Sequence, residues 1–323
     1  MSDFDFFPEK PALQEREHPK GNSAKTIFSI VLFVLTFLLV FSEEVNFVFY
    51  LLLVISVHEL GHFSMMKLFN YQHVRMLFVP FMGAFVQGRK DEYSQKQSLI
   101  VVGAGPFPGV ILGTAFIFMA SYFKQAWMID LGLLFLFLNL LNLIPLDPLD
   151  GGQLFKLFLK KNQDLFLLIF SLISSLLIIA IGFFIDSWLM MIFGFFMGFR
   201  VRSIQRIYRI RNELKEEAVT YNTTYKLLSN RDFVKIKEVL LNQSKALRTY
   251  VDALSPEESD ALLANQVNSV LVTSVKRDAS LLFKGVVLLV WFVSILLPFV
   301  LLVVYHESIR ENYGWYFKLL SNQ

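Results

Sequence analysis

The stretch Phe47-Val-Phe-Tyr-Leu-Leu-Leu-Val-Ile-Ser-Val57 runs without a charge straight into His58-Glu59-Leu60-Gly61-His62. On a helix, positions four apart lie on one face, so both imidazoles can reach one metal ion. The glutamate between them is placed to take a proton from a water held at that ion. The apolar run predicts a membrane span over Phe47–Phe69, in which His58 lies about 17 Å from the start. Ionisable groups at such depth cost several kcal/mol each, which favours a functional role over a chance pattern or a structural polar cluster.

Composition agrees with a membrane location. Of 323 residues, 55% are hydrophobic and 18% charged, and Phe alone contributes 35. Soluble domains are less apolar and carry nearer a quarter charged residues. A net charge of +3 gives no argument for nucleic acid. With no Cys, disulfides, thiolate zinc sites and Cys nucleophiles are excluded. Residues 1–25 mix acids and bases, are broken by Pro8, Pro11 and Pro19, and are expected to be a solvated polar tail rather than a signal peptide.

Runs of sufficient length and apolarity predict spans at Thr26–Phe41, Phe47–Phe69, Ser98–Phe123, Ala126–Ile144, Asp164–Ile185, Ser187–Phe199 and Leu281–Tyr305. The first and sixth are short enough to be re-entrant pieces. Basic residues test the count, because cytoplasmic loops are enriched in them. With the N-terminus inside and seven spans, the inner segments 1–25, 70–97, 145–163 and 200–279 hold every Lys and Arg except Lys67, Lys124, Lys284, Arg310 and Lys318. The expected organisation is a cytosolic tail (1–25), a membrane domain (26–199), a cytosolic helical segment (200–279), a last span (280–305) and a short extracytoplasmic tail (306–323). In the helical segment, Ser255-Pro256-Glu257-Glu258 reads as a helix start with its cap. That segment holds no Gly-rich loop or ligand cluster, and its basic start suits either a positive-inside signal or anionic lipid.

Two histidines leave a catalytic zinc one protein ligand short. The best third ligand lies in Asn142-Leu-Ile-Pro145-Leu-Asp147-Pro148-Leu-Asp150-Gly151-Gly152, at the end of the fourth span. Pro145 and Pro148 break the helix and the glycine pair permits a sharp turn, so Asp150 can be aimed back into the membrane. Taken alone, Asp150 would also admit a lesser reading as an interfacial helix cap.

These residues resemble the site-2 protease (M50-type) family of intramembrane zinc metalloproteases. The family carries HExxH on one span and N-x-x-P-x-x-x-L-D-G on a later one, matched here by Asn142, Pro145, Leu149, Asp150 and Gly151. The resemblance covers about residues 47–152. It implies an all-α polytopic fold in which His58, His62 and Asp150 ligate one Zn2+ and Glu59 is the general base. Asn142 would engage the substrate backbone or the oxyanion, its plainer role being a helix–helix hydrogen bond. Tyr71–Arg89 resembles the family's membrane-embedded β-hairpin, in which Gly83 would let a substrate strand approach or would serve a simple turn. Gly105-Pro106-Phe107-Pro108-Gly109 stands where the family often shows G-P-x-x-N, with Gly109 at the Asn position. His73 reads as incidental.

The implied function is hydrolysis of a peptide bond in or near a transmembrane segment of a membrane-protein substrate, as in regulated intramembrane proteolysis. The implied setting is a lipid bilayer, by default a bacterial-type plasma membrane. Alternatives are a proteolytically inactive scaffold or chaperone, a zinc or proton-coupled transporter, and a membrane zinc protease whose third ligand is Glu. The scaffold has no need of all four core residues. A transporter usually shows a duplicated pair of interrupted helices, which this chain lacks. No downstream Glu ends a helix in a comparable motif.

Overall fold

Long apolar runs without an internal breaker become helices, because a chain in lipid must satisfy its own backbone polar groups. The computed structural model describes residues 7–13, 23–40, 45–79, 83–90, 92–145, 149–159, 163–184, 186, 188–272, 275–304 and 314. Its helices are α1 Ser23–Val40, α2 Val45–Leu68, α3 Gln95–Gly103, α4 Pro106–Phe123, α5 Ala126–Leu143, α6 Asp150–Phe158, α7 Gln163–Phe184, α8 Trp188–Glu216, α9 Asn230–Gln243, α10 Lys245–Asp252, α11 Pro256–Val270 and α12 Leu281–Val304. Between α2 and α3, strands β1 (Gln72–Val79) and β2 (Gly83–Arg89) pair antiparallel, with Met76 opposite Val86 and Val79 opposite Gly83.

Among the described residues, five stretches are long and apolar enough to cross a membrane: Val45–Leu68, Gln95–Phe123, Ala126–Leu143, Gln163–Phe184 and Leu281–Pro298. The expected first span corresponds to a shorter apolar stretch, Thr26–Leu39. The expected sixth is the apolar front half of α8, which continues unbroken into the basic run Arg200–Arg211. Leu281 is 86% exposed and Leu39 and Phe184 are each 83% exposed. Large apolar side chains left outward on long apolar helices are what lipid contact requires, and the chain is an integral membrane protein. Asp147 and Pro148, most of the expected N-terminal tail and nearly all of the C-terminal tail lie outside the described residues.

The chain divides into two units. One comprises residues 1–18, 91–93 and 159–276. Its core joins Ile210 and Leu214 of α8 to Phe233, Ile236 and Leu240 of α9 and to Ala264, Val267 and Val270 of α11. The helix start read at Ser255 is realised as a reciprocal capping box with Glu258. Arg211 donates to the Asp164 carboxylate at 2.6 Å and to the Val270 carbonyl at 3.0 Å, tying α8 to the start of α7 and the end of α11. Lys10 Nζ donates to the Tyr225 carbonyl at 2.8 Å and Tyr225 Oη donates to the Pro11 carbonyl at 2.8 Å. This part of the polar tail is therefore held against the helical unit, where composition predicts free solvation.

The other unit comprises residues 19–90, 94–158 and 277–323 and holds the residues singled out by the two motifs. In it α2 packs against α3, α4, α5 and both strands. Val54 of α2 meets Leu131 and Phe135 of α5 in one apolar cluster, and Leu99, Leu154 and Val287 join α3, α6 and α12 in another.

Candidate metal site

Helix α2 carries His58 and His62 on one buried face, 7% and 8% exposed, with Glu59 beside them at 7%. Close approach explains the glycines around them. A Cβ on Gly61 would stand 2.0 Å from the Ala104 carbonyl oxygen, so glycine is what lets α2 lie against the α3–α4 turn. A Cβ on Gly105 in that turn would fall 2.4 Å from His62 Nε2 and 2.9 Å from His58 Nε2.

Asp150 reaches the same point from α6. Helix α5 ends at Leu143, and α6, whose first residue is Asp150, starts close against that end. Gly151 permits this, since a Cβ there would lie 2.3 Å from the Leu143 carbonyl oxygen. That oxygen accepts a 2.8 Å bond from Trp291 Nε1 on α12, which satisfies a backbone group left over at the helix end.

The three donor atoms form a near-equilateral triangle. His58 Nε2 lies 3.0 Å and His62 Nε2 3.2 Å from Asp150 Oδ2, and the two nitrogens are 3.2 Å apart. A tetrahedral zinc with ligand bonds of about 2.0–2.2 Å separates its donors by about 3.3–3.6 Å, so the triangle takes such an ion once its sides widen by a few tenths of an ångström. Among the described residues these three form the group that could hold a metal.

The far side of each imidazole is engaged too. His62 Nδ1 is 2.7 Å from the Val101 carbonyl oxygen, which can only accept. His58 Nδ1 is 2.8 Å from Asn139 Oδ1, while Asn139 Nδ2 donates to the Phe135 carbonyl at 2.8 Å. Both Nδ1 atoms therefore carry hydrogen, which leaves both Nε2 atoms, 3.0 and 3.2 Å from Asp150 Oδ2, as the ring positions open to a metal. Asn139 is 0% exposed and was not among the residues that sequence motifs single out. A Cβ on Gly109 would sit 2.2 Å from its carboxamide, so the glycine found where the resembled family shows Asn is the room that Asn139 fills.

The Val86 backbone N–H in β2 lies beside Glu59, where α2 packs against that strand. The opposite side of the hairpin is met by α1, where Phe78 N–H donates to Ser29 Oγ at 3.2 Å. Gly83, the first residue of β2, has φ of 89°, a backbone region that favours glycine, and open space where a Cβ would stand. Asn142 is half-buried near the end of α5, and its Nδ2 donates to the Leu138 carbonyl at 3.0 Å within its own helix. None of the hydrogen bonds described around the triangle involves it. His73 is exposed on β1 and lies outside the group.

Comparison with known proteins gives a family model, two relatives and a solved structure. The model of "Peptidase family M50" matches residues 46–129. "Stage IV sporulation protein FB" of Bacillus subtilis is 30% identical over 35% of this chain and 40% of its own length. "Zinc metalloprotease MJ0392" of Methanocaldococcus jannaschii is 26% identical over 55% of this chain and 56% of its own. The chain thus spans about two fifths and just over half the length of these relatives. A solved structure titled "Site-2 Protease from Methanocaldococcus jannaschii" covers 54% of this chain and 87% of that one at 20% identity, with a TM-score of 0.45. Over residues 46–129, which carry both histidines and Glu59, the chain is similar to peptidase family M50.

Proposed function

We propose that this protein is an intramembrane zinc-dependent endopeptidase that hydrolyses a peptide bond in or near a transmembrane segment of a membrane-protein substrate. The observation that carries the reading is the buried triangle of His58, His62 and Asp150 with Glu59 beside it on an apolar helix. The three would hold one zinc, which would supply Lewis acidity for a carbonyl and a water. The chain's own groups do the rest. Glu59 takes the proton from the attacking water and delivers it to the leaving amide nitrogen. The β2 edge beside Glu59 receives the unwound substrate as an added strand, with Gly83 leaving room at its start. Asn142 swings its carboxamide from Leu138 to the substrate backbone or the developing oxyanion.

The arrangement proposed for the whole chain has seven spans, the N-terminus and residues 200–279 cytosolic, and the hairpin of β1 and β2 within the membrane. The setting is a bacterial-type plasma membrane, and the proteolysis is of the regulated kind. The test is cleavage of a panel of single-span membrane proteins co-reconstituted in vesicles. Product should appear with the wild type and vanish with Glu59→Gln or with a chelator. Product that persists with Glu59→Gln, or no product from any substrate with a zinc-loaded wild type, would count against a protease and favour a scaffold.

A further inference from the structure

We infer that Asn139 is a positioning residue for His58: its carboxamide locks the imidazole in the orientation and tautomer that present Nε2 to the metal. The inference rests on the metal-site reading above, and it assigns a role to a residue outside both motifs. An Asn in the middle of an apolar helix carries a desolvation cost unless its amide is fully used. Here it is used at both ends, with Nδ2 spent on the Phe135 carbonyl and Oδ1 left for His58 Nδ1. The geometry admits a single assignment. The Phe135 carbonyl can only accept, so the nitrogen of the amide must face it, and the oxygen must face the histidine. His58 must then donate through Nδ1. His62 is held in the same tautomer by a main-chain carbonyl, which no substitution removes. Asn139 is therefore the side chain through which this control can be tested.

Gly109 completes the device. Its missing Cβ is the space that the Asn139 carboxamide occupies, with three of its atoms 2.2–2.3 Å from where that carbon would be. An amide on α4 and an amide on α5 are thus mutually exclusive occupants of one volume beside His58. Outer partners of metal-bound histidines typically alter affinity by about 10–100-fold.

The experiment is zinc affinity of the purified full chain in detergent, measured by competition with a chelator. Thermal unfolding of the metal-free protein runs alongside to separate packing from positioning. Asn139→Leu, similar in size but without an acceptor, should bind zinc about 10–100-fold more weakly. Asn139→Asp, which keeps the acceptor, should bind within a few-fold of the wild type. The exchange Gly109→Asn with Asn139→Gly moves the amide to the other helix and should recover most of the loss. If Asn139→Leu does not fold, the exchange against Asn139→Gly alone decides the matter. Equal affinity of wild type and Asn139→Leu, or of the exchange and Asn139→Gly, would overturn the inference while leaving the metal site standing. A wild type that binds no zinc would overturn both.

Discussion

At Gly105 a single methyl group would stand 2.4 Å from His62 Nε2 and 2.9 Å from His58 Nε2, crowding both nitrogens of the triangle. Its backbone is right-handed helical, so alanine is conformationally acceptable there. Gly105→Ala should therefore weaken metal binding by about 10–100-fold while changing none of the three ligands. Zinc content after dialysis against a weak chelator checks this, and full retention of zinc would contradict the geometry. Residues at this scale were unevenly legible. His58, Glu59 and His62 stand out because charge is costly in an apolar run. Asp150 stands out because two prolines and two glycines surround it. Asn139 does not, because an Asn outside the motif in an apolar helix reads first as a helix–helix contact, and the room at Gly109 exists only once α4 and α5 are packed.

Elements place the ligands through a few backbone approaches. The break after α5 leaves the Leu143 carbonyl without an intrahelical partner, and Trp291 of α12 supplies one. Trp291→Phe keeps the ring against Phe155, 5.2 Å away between centroids, but removes the donor. The expected cost is about 1 kcal/mol of stability with a modest loss of zinc affinity, read by thermal unfolding with and without zinc. An unchanged midpoint would show that this bond does not hold the turn. Gly61→Ala forces α2 away from the Ala104 carbonyl. Because the obstacle is backbone, it should destabilise by roughly 1–3 kcal/mol, and retained stability with full zinc binding would contradict the packing described. The helix start at Ser255 was legible from local cap chemistry, and the hairpin only through the family resemblance of Tyr71–Arg89. The engagement of α12 with the turn before Asp150 was not, because the contact joins residues 148 positions apart.

For the whole molecule, charge along the chain predicts topology. The five longest apolar stretches were readable by length, whereas the first and sixth expected spans were marginal in sequence and stay so in structure, one short and one merging into a basic helix. The absence of Cys makes the orientation testable without a background. In intact cells a membrane-impermeant thiol reagent should label Lys124→Cys, and it should label Glu257→Cys only after the membrane is opened. The reverse pattern would overturn the seven-span orientation. Lys10 shows why composition misread residues 7–13: a polar tail is free only when no carbonyls are positioned to receive its donors, and three lie at Tyr225, Lys226 and Leu228. The most direct test of the central claim is zinc per chain in the purified protein, measured beside His58→Ala and Asp150→Ala. Near-stoichiometric zinc in the wild type, lost or sharply weakened in both variants, is the predicted result. A folded wild type that holds no zinc when zinc is supplied, or variants that hold as much as the wild type, would contradict the account.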